Sequence, residues 1–587
     1  MRRLVSAVFF TLFLALLVPG APARAQSTPP RCAFGPVPPG RQCATASWPQ
    51  PGIDAVTQND VDRAVAMMYG FNGGEARVYF QRAIDRQQAQ GKPFAFGWWG
   101  VAVSYTIDIN LPWTAATEPA GADAALRAVK ALAADRHATQ EVRDLVHAAS
   151  LRYQGRACKE ELKAYGAALN SVVARHQGSA NYLVVTGYSL LTMDNANNPD
   201  PAQQSACPRA STANAADRTH AEEINHSADS TPHYADVVRY MRYARALQPW
   251  NVGLHHLSVH ENEYASNTQH PNRWKDAKAD ADALAAYAYP DGLSHLAHMA
   301  GHIFARSGEY ERTVATDTVA LDNDHRYYGR GDGDGQHYLN RYHTHDIDFV
   351  LYSLTTLGLN DQARALIHGD FRPADMPRGG RPVEQYPNGR PLLSVLLRLH
   401  DTKSLPSPHP DDSIREPWRE QLASLSAARQ GDAPLALEIA DRSSKTILDG
   451  TLSYLVRAQL AKTGRLPAAQ ASGQFGCTGE LDCYAKAYKL NAVAYNGDPK
   501  DYWMVPVGEG YGAALLTARR YADALAVFRA ENARFANDPH LEWGAWQACK
   551  ALSEPSAGTP CADTGAWEQA YRRHWKGAAE LTLGDLG

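Results

Sequence analysis

The sequence lacks the paired-cysteine motifs that mark thiolate chemistry. It has eight cysteines, and no two of them are spaced as Cys-x-x-Cys, so neither a cysteine-ligated metal nor a redox dithiol is indicated. Any metal ligands must therefore be nitrogen and oxygen atoms. Positive charge is not concentrated either. The net charge is −4 over 587 residues, and without a basic stripe or polybasic segment we expect no nucleic-acid partner and no binding to membrane surfaces.

Long apolar runs and β patterns are also scarce. Beyond the first residues no segment approaches about 18 consecutive apolar residues, so the mature chain is not expected to span a membrane. No βαβ alternation is present, and no Gly-x-Ser-x-Gly, P-loop or Gly-x-Gly-x-x-Gly motif stands in a strand–turn–helix context. The segment "HENEY" is not His-Glu-x-x-His, so the zinc-protease signature is absent. Familiar catalytic motifs therefore assign no activity.

Residues 1–25 are predicted to be a secretory signal. Arg2 and Arg3 supply the positive region, residues 5–18 the apolar run, and the Ala-Arg-Ala motif ending at Ala25 a cleavage site. A membrane anchor is the competing interpretation, but the run is short for a spanning helix and ends in Pro-Gly. We therefore expect an exported protein, periplasmic or secreted, without membrane insertion after cleavage.

The cysteines are typical of an oxidising compartment. They are even in number and fall into near neighbours, as disulfides of exported proteins often do. Many connectivities remain open for eight cysteines, and pairing near neighbours is the most economical of them. That pairing joins Cys32 with Cys43, Cys158 with Cys207, Cys477 with Cys483, and Cys549 with Cys561.

Helical periodicity dominates after a Pro/Gly-rich lead, residues 26–52. Helices joined by short turns recur in pairs, with a small residue near the start of the second helix, which resembles a tetratricopeptide repeat. We predict an all-α fold, a tetratricopeptide-like α-solenoid. Two polar loops interrupt it, at 195–234 and 369–391. The second loop divides a histidine-bearing region, 53–368, from C-terminal repeats, 392–587.

Histidines recur on single faces of three predicted helices. The chain has 22 histidines, so their spacing matters more than their number. Because a helix turns by about 100° per residue, spacings of three, four and seven return to nearly the same face. Three stripes meet this condition: His256, His260 and Glu263; His295, His298 and His302; and His345 with Asp348. In a solenoid the first two stripes would lie on neighbouring helices.

These eight side chains are too many ligands for one tetrahedral ion, and they suit two ions roughly 4 Å apart. Because imidazole outnumbers carboxylate, copper is favoured, followed by iron or zinc. The alternative is that the histidines are structural or sense pH. Burying six imidazoles without a metal or partners would cost several kcal/mol, which favours the metal site.

The same segments resemble a family. A group of bacterial exported proteins with tetratricopeptide repeats carries His-x3-His-x2-Glu and then His-x2-His-Met-x2-His-Ile. Over residues 60–366 this chain is similar to that group, with "HLSVHENE", "HLAHMAGHIFARSG" and "YHTHDIDF" in corresponding places. It departs from the family pattern at Gly73 and Asp348, where the family has His, and at Ala300-Gly301, where the family has Pro-Ser. The resemblance implies where a site lies and carries no activity over.

Three functions are compatible with these features. The first is a metalloprotein with oxidative chemistry, a copper- or iron-dependent oxidoreductase, in which Glu263 and Asp348 act as ligands or orient the imidazoles. There, Arg306 either binds an anionic substrate or forms a surface salt bridge. The second is metal sequestration or delivery in the periplasm without turnover. The third is a scaffold that binds a protein or peptide partner in a groove, which five aromatic residues would line if they are not core: Trp98, Trp99, Trp503, Trp543 and Trp546.

Overall fold

The computed structural model of the chain describes most of its length. The described residues are 32–108, 118–154, 158–176, 178–197, 234–263, 273–328, 335–366, 398–399, 417–443, 447–472, 474–494, 505–554 and 561–586. The predicted signal and the loop at 369–391 lie outside them, as does the loop at 195–234 apart from its first three residues and its last. Those first three residues belong to a helix that continues to Asn197.

The described residues form 22 α-helices and one short sheet, which confirms the all-α expectation. The helices are α1 (Ala55–Tyr69), α2 (Gly73–Ala89), α3 (Ala95–Val103), α4 (Glu118–Ala134), α5 (Gln140–Arg152), α6 (Cys158–Arg175), α7 (Ala180–Asn197), α8 (Tyr234–Leu247), α9 (Val252–Asn262), α10 (Lys278–Ala286), α11 (Ser294–Ser307), α12 (Tyr310–Tyr328), α13 (Gly335–Leu357), α14 (Asn360–Ala365), α15 (Pro417–Gln430), α16 (Ala433–Ser443), α17 (Ile447–Lys462), α18 (Glu480–Ala494), α19 (Val507–Thr517), α20 (Tyr521–Arg534), α21 (Pro539–Leu552) and α22 (Thr564–His574).

Helices adjacent in sequence pack against each other along most of the chain. Several helices also contact the next but one, as α9 does with α11 and α11 does with α13. This order of contacts is consistent with stacked helical repeats, in which each unit touches mainly its neighbours. The assignment of these repeats to the tetratricopeptide type stays a prediction.

The apolar core is continuous through the N-terminal region and divides into smaller clusters towards the C-terminus. Trp99 is fully buried in the large core, with Trp98 half-buried against it. Trp543 and Trp546 are buried in a C-terminal cluster. Three of the five aromatic residues considered for a groove are therefore core residues, and Trp503 lies outside the described residues.

A short parallel sheet anchors the lead segment to the histidine-bearing helices. Strand β1 (Gln42–Cys43) pairs with β2 (Tyr287–Ala288), which comes between α10 and α11. Two residues further, the amide of Val252 donates to the carbonyl oxygen of Thr45 at 3.1 Å. The lead therefore fixes the start of α9 and the approach to α11, the two helices that carry the first two histidine stripes.

Three of the four expected disulfides are present. They join Cys32 to Cys43, Cys477 to Cys483 and Cys549 to Cys561. The fourth involves Cys207, which lies outside the described residues. The three bonds agree with an oxidising, extracytoplasmic location. Among the described residues, no helix is both long and apolar enough to cross a membrane.

Candidate metal centre

Helices α9, α11 and α13 bring the three histidine stripes together inside the protein. Asn251 caps α9, and its side-chain oxygen accepts from the amide of Gly253 at 3.0 Å. Every residue of α9 is buried, and so is every residue of α11 before Ser307. A surface helix keeps one polar face in water. These helices have no such face, so their imidazoles are interior groups.

Three imidazoles form a first trio: His256, His260 and His295. Their ring centroids lie 4.7 to 5.6 Å apart, and one nitrogen of each ring lies within 4.8 Å of the other two. The Nε2 atoms of His260 and His295 are 3.4 Å apart. The trio combines two residues of α9 with one of α11, so helix packing completes it.

A second trio consists of His298, His302 and His345. The Nε2 atom of His302 lies 2.9 Å from that of His298 and 3.3 Å from that of His345. Two nitrogens bound to one ion at about 2.0–2.1 Å are about 2.9 Å apart at right angles and about 3.4 Å apart in a tetrahedron. The spacings between His260 and His295, between His298 and His302 and between His302 and His345 lie at or near this range.

The two trios are neighbours. The rings of His295 and His298, one from each trio, stack with their centroids 5.9 Å apart. Glu263 reaches both trios: its Oε1 lies 2.8 Å from Nδ1 of His260, and its Oε2 lies 3.1 Å from Nδ1 of His302. Six imidazoles in two adjoining sets can hold two ions.

Hydrogen bonds at the outer nitrogen, Nδ1, fix the tautomers of three imidazoles, those of His256, His260 and His298. Nδ1 of His256 lies 2.5 Å from the carbonyl oxygen of Tyr69, and Nδ1 of His298 lies 2.5 Å from Oδ1 of Asp317. Both acceptors require the proton on Nδ1, which leaves Nε2 with its lone pair. The same holds for His260 and its carboxylate partner. In metalloproteins the outer nitrogen of a ligating histidine is held in this way.

Nε2 carries a lone pair in His256, His260 and His298 as a consequence. Nε2 of His256 is buried and has no hydrogen-bond partner. The 2.9 Å contact between His298 and His302 joins two nitrogens, of which at least the one on His298 is an acceptor. A cation bound between the rings would satisfy all of these lone pairs. A proton shared between two facing nitrogens would satisfy only that pair.

Burial keeps two imidazoles of the first trio neutral. It lowers the pKa of His256 and of His295 well below the ordinary value of 6.5, and neighbouring imidazoles lower it further. Neutral imidazole is the form that binds a metal ion. At neutral pH these two rings are therefore ready to bind.

Buried carboxylates surround the second trio. His298 contacts Asp317 and lies 3.4 Å from Oδ1 of Asp346, and both aspartates are fully buried. Burial raises the pKa of Asp346 well above its ordinary value, and the neighbouring aspartates raise it further. Asp324 is also buried and holds His343 at 2.9 Å. Such an accumulation of acidic groups is costly unless positive charge accompanies it.

The sequence patterns identified the imidazoles better than the carboxylates. Asp348 is buried one turn beyond His345, and its role stays a prediction. Asp317 and Asp346 approach His298 instead. Asp346 directly follows His345 and was not among the residues that the helical spacing selected. No sequence signal pointed to Asp317, which lies on α12.

A glycine makes room for Asp317. A Cβ atom at Gly301 would overlap Oδ2 of that aspartate, because α11 and α12 pack closely there. A residue with a side chain at position 301 would therefore displace the carboxylate that holds His298.

Two phenyl rings cover the trios. Phe71 lies against all three rings of the first trio, at centroid distances of 4.5 to 5.4 Å. Phe349 does the same for the second trio, at 4.5 to 5.4 Å. Phe71 adopts a positive φ of 60°, a conformation that costs free energy for a residue with a side chain. Packing against the imidazoles and Tyr188 holds it there.

Three other residues of α9 and α11 lie beside the centre. His255 faces away, with its two nitrogens 2.8 Å from Asp280 and 2.9 Å from the carbonyl oxygen of Pro249, so it has a structural role. Met299 is buried in the core. Arg306 is also buried, so it is no surface residue, and its binding of an anion stays a prediction.

A separate buried group lies in the C-terminal region and consists of Glu509, Asp538 and His540. Arg398 donates to Oε2 of Glu509 at 3.1 Å and lies 4.0 Å from Asp538. The guanidinium already supplies positive charge to this group, so we assign it a structural role.

Comparison of the chain with protein families and with curated proteins finds no match to either.

Proposed function

We propose that the protein is an exported helical-repeat metalloprotein with a dinuclear, histidine-rich centre. His256, His260 and His295 would hold one ion, and His298, His302 and His345 the other. One observation carries the proposal: two buried imidazole trios adjoin, and hydrogen bonds fix outer nitrogens so that inner nitrogens converge. The buried carboxylates around them would offset the charge of the ions.

We favour copper, then iron or zinc. The converging atoms are all imidazole nitrogens, which suit these three metals, and no cysteine belongs to either trio. Bound copper or iron would supply activation of dioxygen or peroxide, and zinc would supply an activated water. The three disulfides agree with an oxidising compartment, and we place the protein in the periplasm or outside the cell.

The protein itself would exclude water and direct access to the centre. Five of the six imidazoles are at most 5% exposed, whereas His345 is partly exposed. The phenyl rings of Phe71 and Phe349 close the sides that they cover. A small exogenous molecule would therefore reach the second trio first, past His345.

A second candidate function is metal storage or delivery without turnover. The observation that favours it is the same deep burial, because a closed site resembles structural centres more than catalytic ones. The two functions differ in whether an outside ligand reaches the metal.

Azide binding and oxidant consumption distinguish these functions. For the copper-loaded protein we expect saturable azide binding, seen as a new charge-transfer absorption, together with consumption of peroxide or dioxygen in the presence of a reductant. Both should be lost in His345→Ala and retained in His147→Ala, because His147 is an exposed histidine outside the centre. A loaded protein that binds no azide and consumes no oxidant would favour storage.

A further inference from the structure

The side chain of Glu263 contacts both trios. Its carboxylate is 2% exposed and lies at the end of α9, where its amide donates to the carbonyl oxygen of Val259 at 2.7 Å. Oε1 accepts from His260 of the first trio, at 2.8 Å. Oε2 lies 3.1 Å from Nδ1 of His302 in the second trio.

The two contacts are not equivalent. The bond from His260 is well formed, whereas the contact with His302 is short but not aligned as a hydrogen bond. The orientation that the first bond gives the carboxylate therefore decides whether Oε2 can accept from Nδ1–H of His302. Because the same group makes both contacts, a change at one imidazole reaches the other directly.

We infer that Glu263 couples the two metal sites, so that loading one trio prepares the other. This inference rests on the proposed dinuclear centre. An ion on Nε2 of His260 withdraws electron density from the ring, and its Nδ1–H becomes a stronger donor. The strengthened bond fixes the carboxylate. Oε2 is then held for Nδ1–H of His302, which turns the Nε2 lone pair of that ring towards the second site.

The negative charge of Glu263 acts in the same direction. Two cations in adjoining trios repel each other, which by itself would make the second ion bind more weakly. A carboxylate hydrogen-bonded to one ligand of each ion attracts both and offsets part of this repulsion. Binding of the first ion already orders the side chain of Glu263, so the loss of its conformational entropy opposes the binding of the first ion and not that of the second. Loading is therefore cooperative.

Native mass spectrometry of the metal-free full chain tests this coupling. The chain is titrated with Cu⁺ without oxygen and, separately, with Zn²⁺. We expect the wild-type protein to pass from no ion to two, with little of the singly loaded species. Independent equal sites would instead give about half singly loaded chains at half saturation. In Glu263→Gln the amide can accept from only one imidazole, so the singly loaded species should rise several-fold.

Two variants serve as controls. Asp317→Asn removes the charge of a carboxylate that contacts His298 of the second trio, so it should weaken binding at that trio while the uptake of the two ions remains coupled through Glu263. Glu263→Asp keeps the negative charge, but its side chain is too short to reach both rings, so the two ions should no longer load cooperatively. This variant replaces Glu263→Gln in the test if Glu263→Gln does not fold.

The titration distinguishes failure of the coupling through Glu263 from failure of the proposed dinuclear centre. If wild-type protein loads two ions independently, or if a Glu263 variant still loads them cooperatively, the coupling is wrong and the dinuclear centre stands. If the wild-type chain binds neither ion, the proposed centre itself is wrong.

Discussion

Removing the metal from the wild-type protein is expected to lower its melting temperature by about 8 °C. An ion that binds only the folded chain adds about 4 kcal/mol per site when its free concentration is a thousand times its dissociation constant. For a chain of this length each kcal/mol shifts the melting temperature by about 1 °C, because the entropy of unfolding grows with the number of residues. Chelation also leaves the buried carboxylate of Asp317, beside His298, without a metal ion to offset its charge.

The measurement is calorimetry of loaded, chelated and reloaded protein. The double variant His298→Ala, His302→Ala should lose the part of the shift that belongs to the second trio, and His147→Ala should keep all of it. A wild-type melting temperature that does not respond to chelation and reloading contradicts the account.

Acid should release the ion of the first trio only well below pH 6.5. A proton competes with the metal for Nε2, and for three ordinary imidazoles the affinity would fall about a thousandfold per pH unit below that value. Burial lowers the pKa of His256 and of His295 well below 6.5. A lowered pKa means that these rings stay unprotonated as the pH falls. With two of three rings neutral, the dependence becomes about tenfold per unit or less.

Dialysis against buffers between about pH 7.5 and 5, followed by metal analysis, measures this release. The double variant His298→Ala, His302→Ala isolates the first trio, because both substitutions lie in the second trio. If that variant holds an ion but its affinity falls a thousandfold per pH unit just below 6.5, the burial of the first trio does not protect it from protons as the structure indicates.

Helical periodicity predicted both the fold class and the faces that carry the imidazoles. The spacing within "HLSVHENE" and "HLAHMAGHIF" depends only on helix geometry, which is local. It could therefore show that His256 and His260 share a face before their surroundings were known. The near-neighbour pairing of cysteines was equally local, and three of its four bonds are present.

The groups that hold the imidazoles could not be predicted in the same way. Asp317 lies on α12 and meets His298 because α11 and α12 pack closely at Gly301. The carbonyl oxygen of Tyr69 has no residue type to signal it and comes from α1. Phe71 follows that helix in a backbone conformation that no periodicity reveals. These contacts depend on tertiary packing between distant segments.

Only some of the contacts of Glu263 could be predicted from its position on a helix. Its spacing placed it in phase with His256 and His260, as a ligand or an orienting group. The structure places its carboxylate against the outer nitrogens of His260 and His302, which fits the orienting role. The contact with His302 requires the position of α11 relative to α9, and that position is not encoded in a single helix.

Metal content is the most direct test of the central claim. The chain would be expressed with its own N-terminal segment and without a polyhistidine tag, purified without chelators, and analysed by elemental mass spectrometry per mole of protein. We predict two equivalents of metal, with copper preferred. At least one equivalent should be lost in the double variant His298→Ala, His302→Ala, and none in His147→Ala. Wild-type protein that is isolated without metal, and that takes up no copper, iron or zinc when challenged, would contradict this prediction.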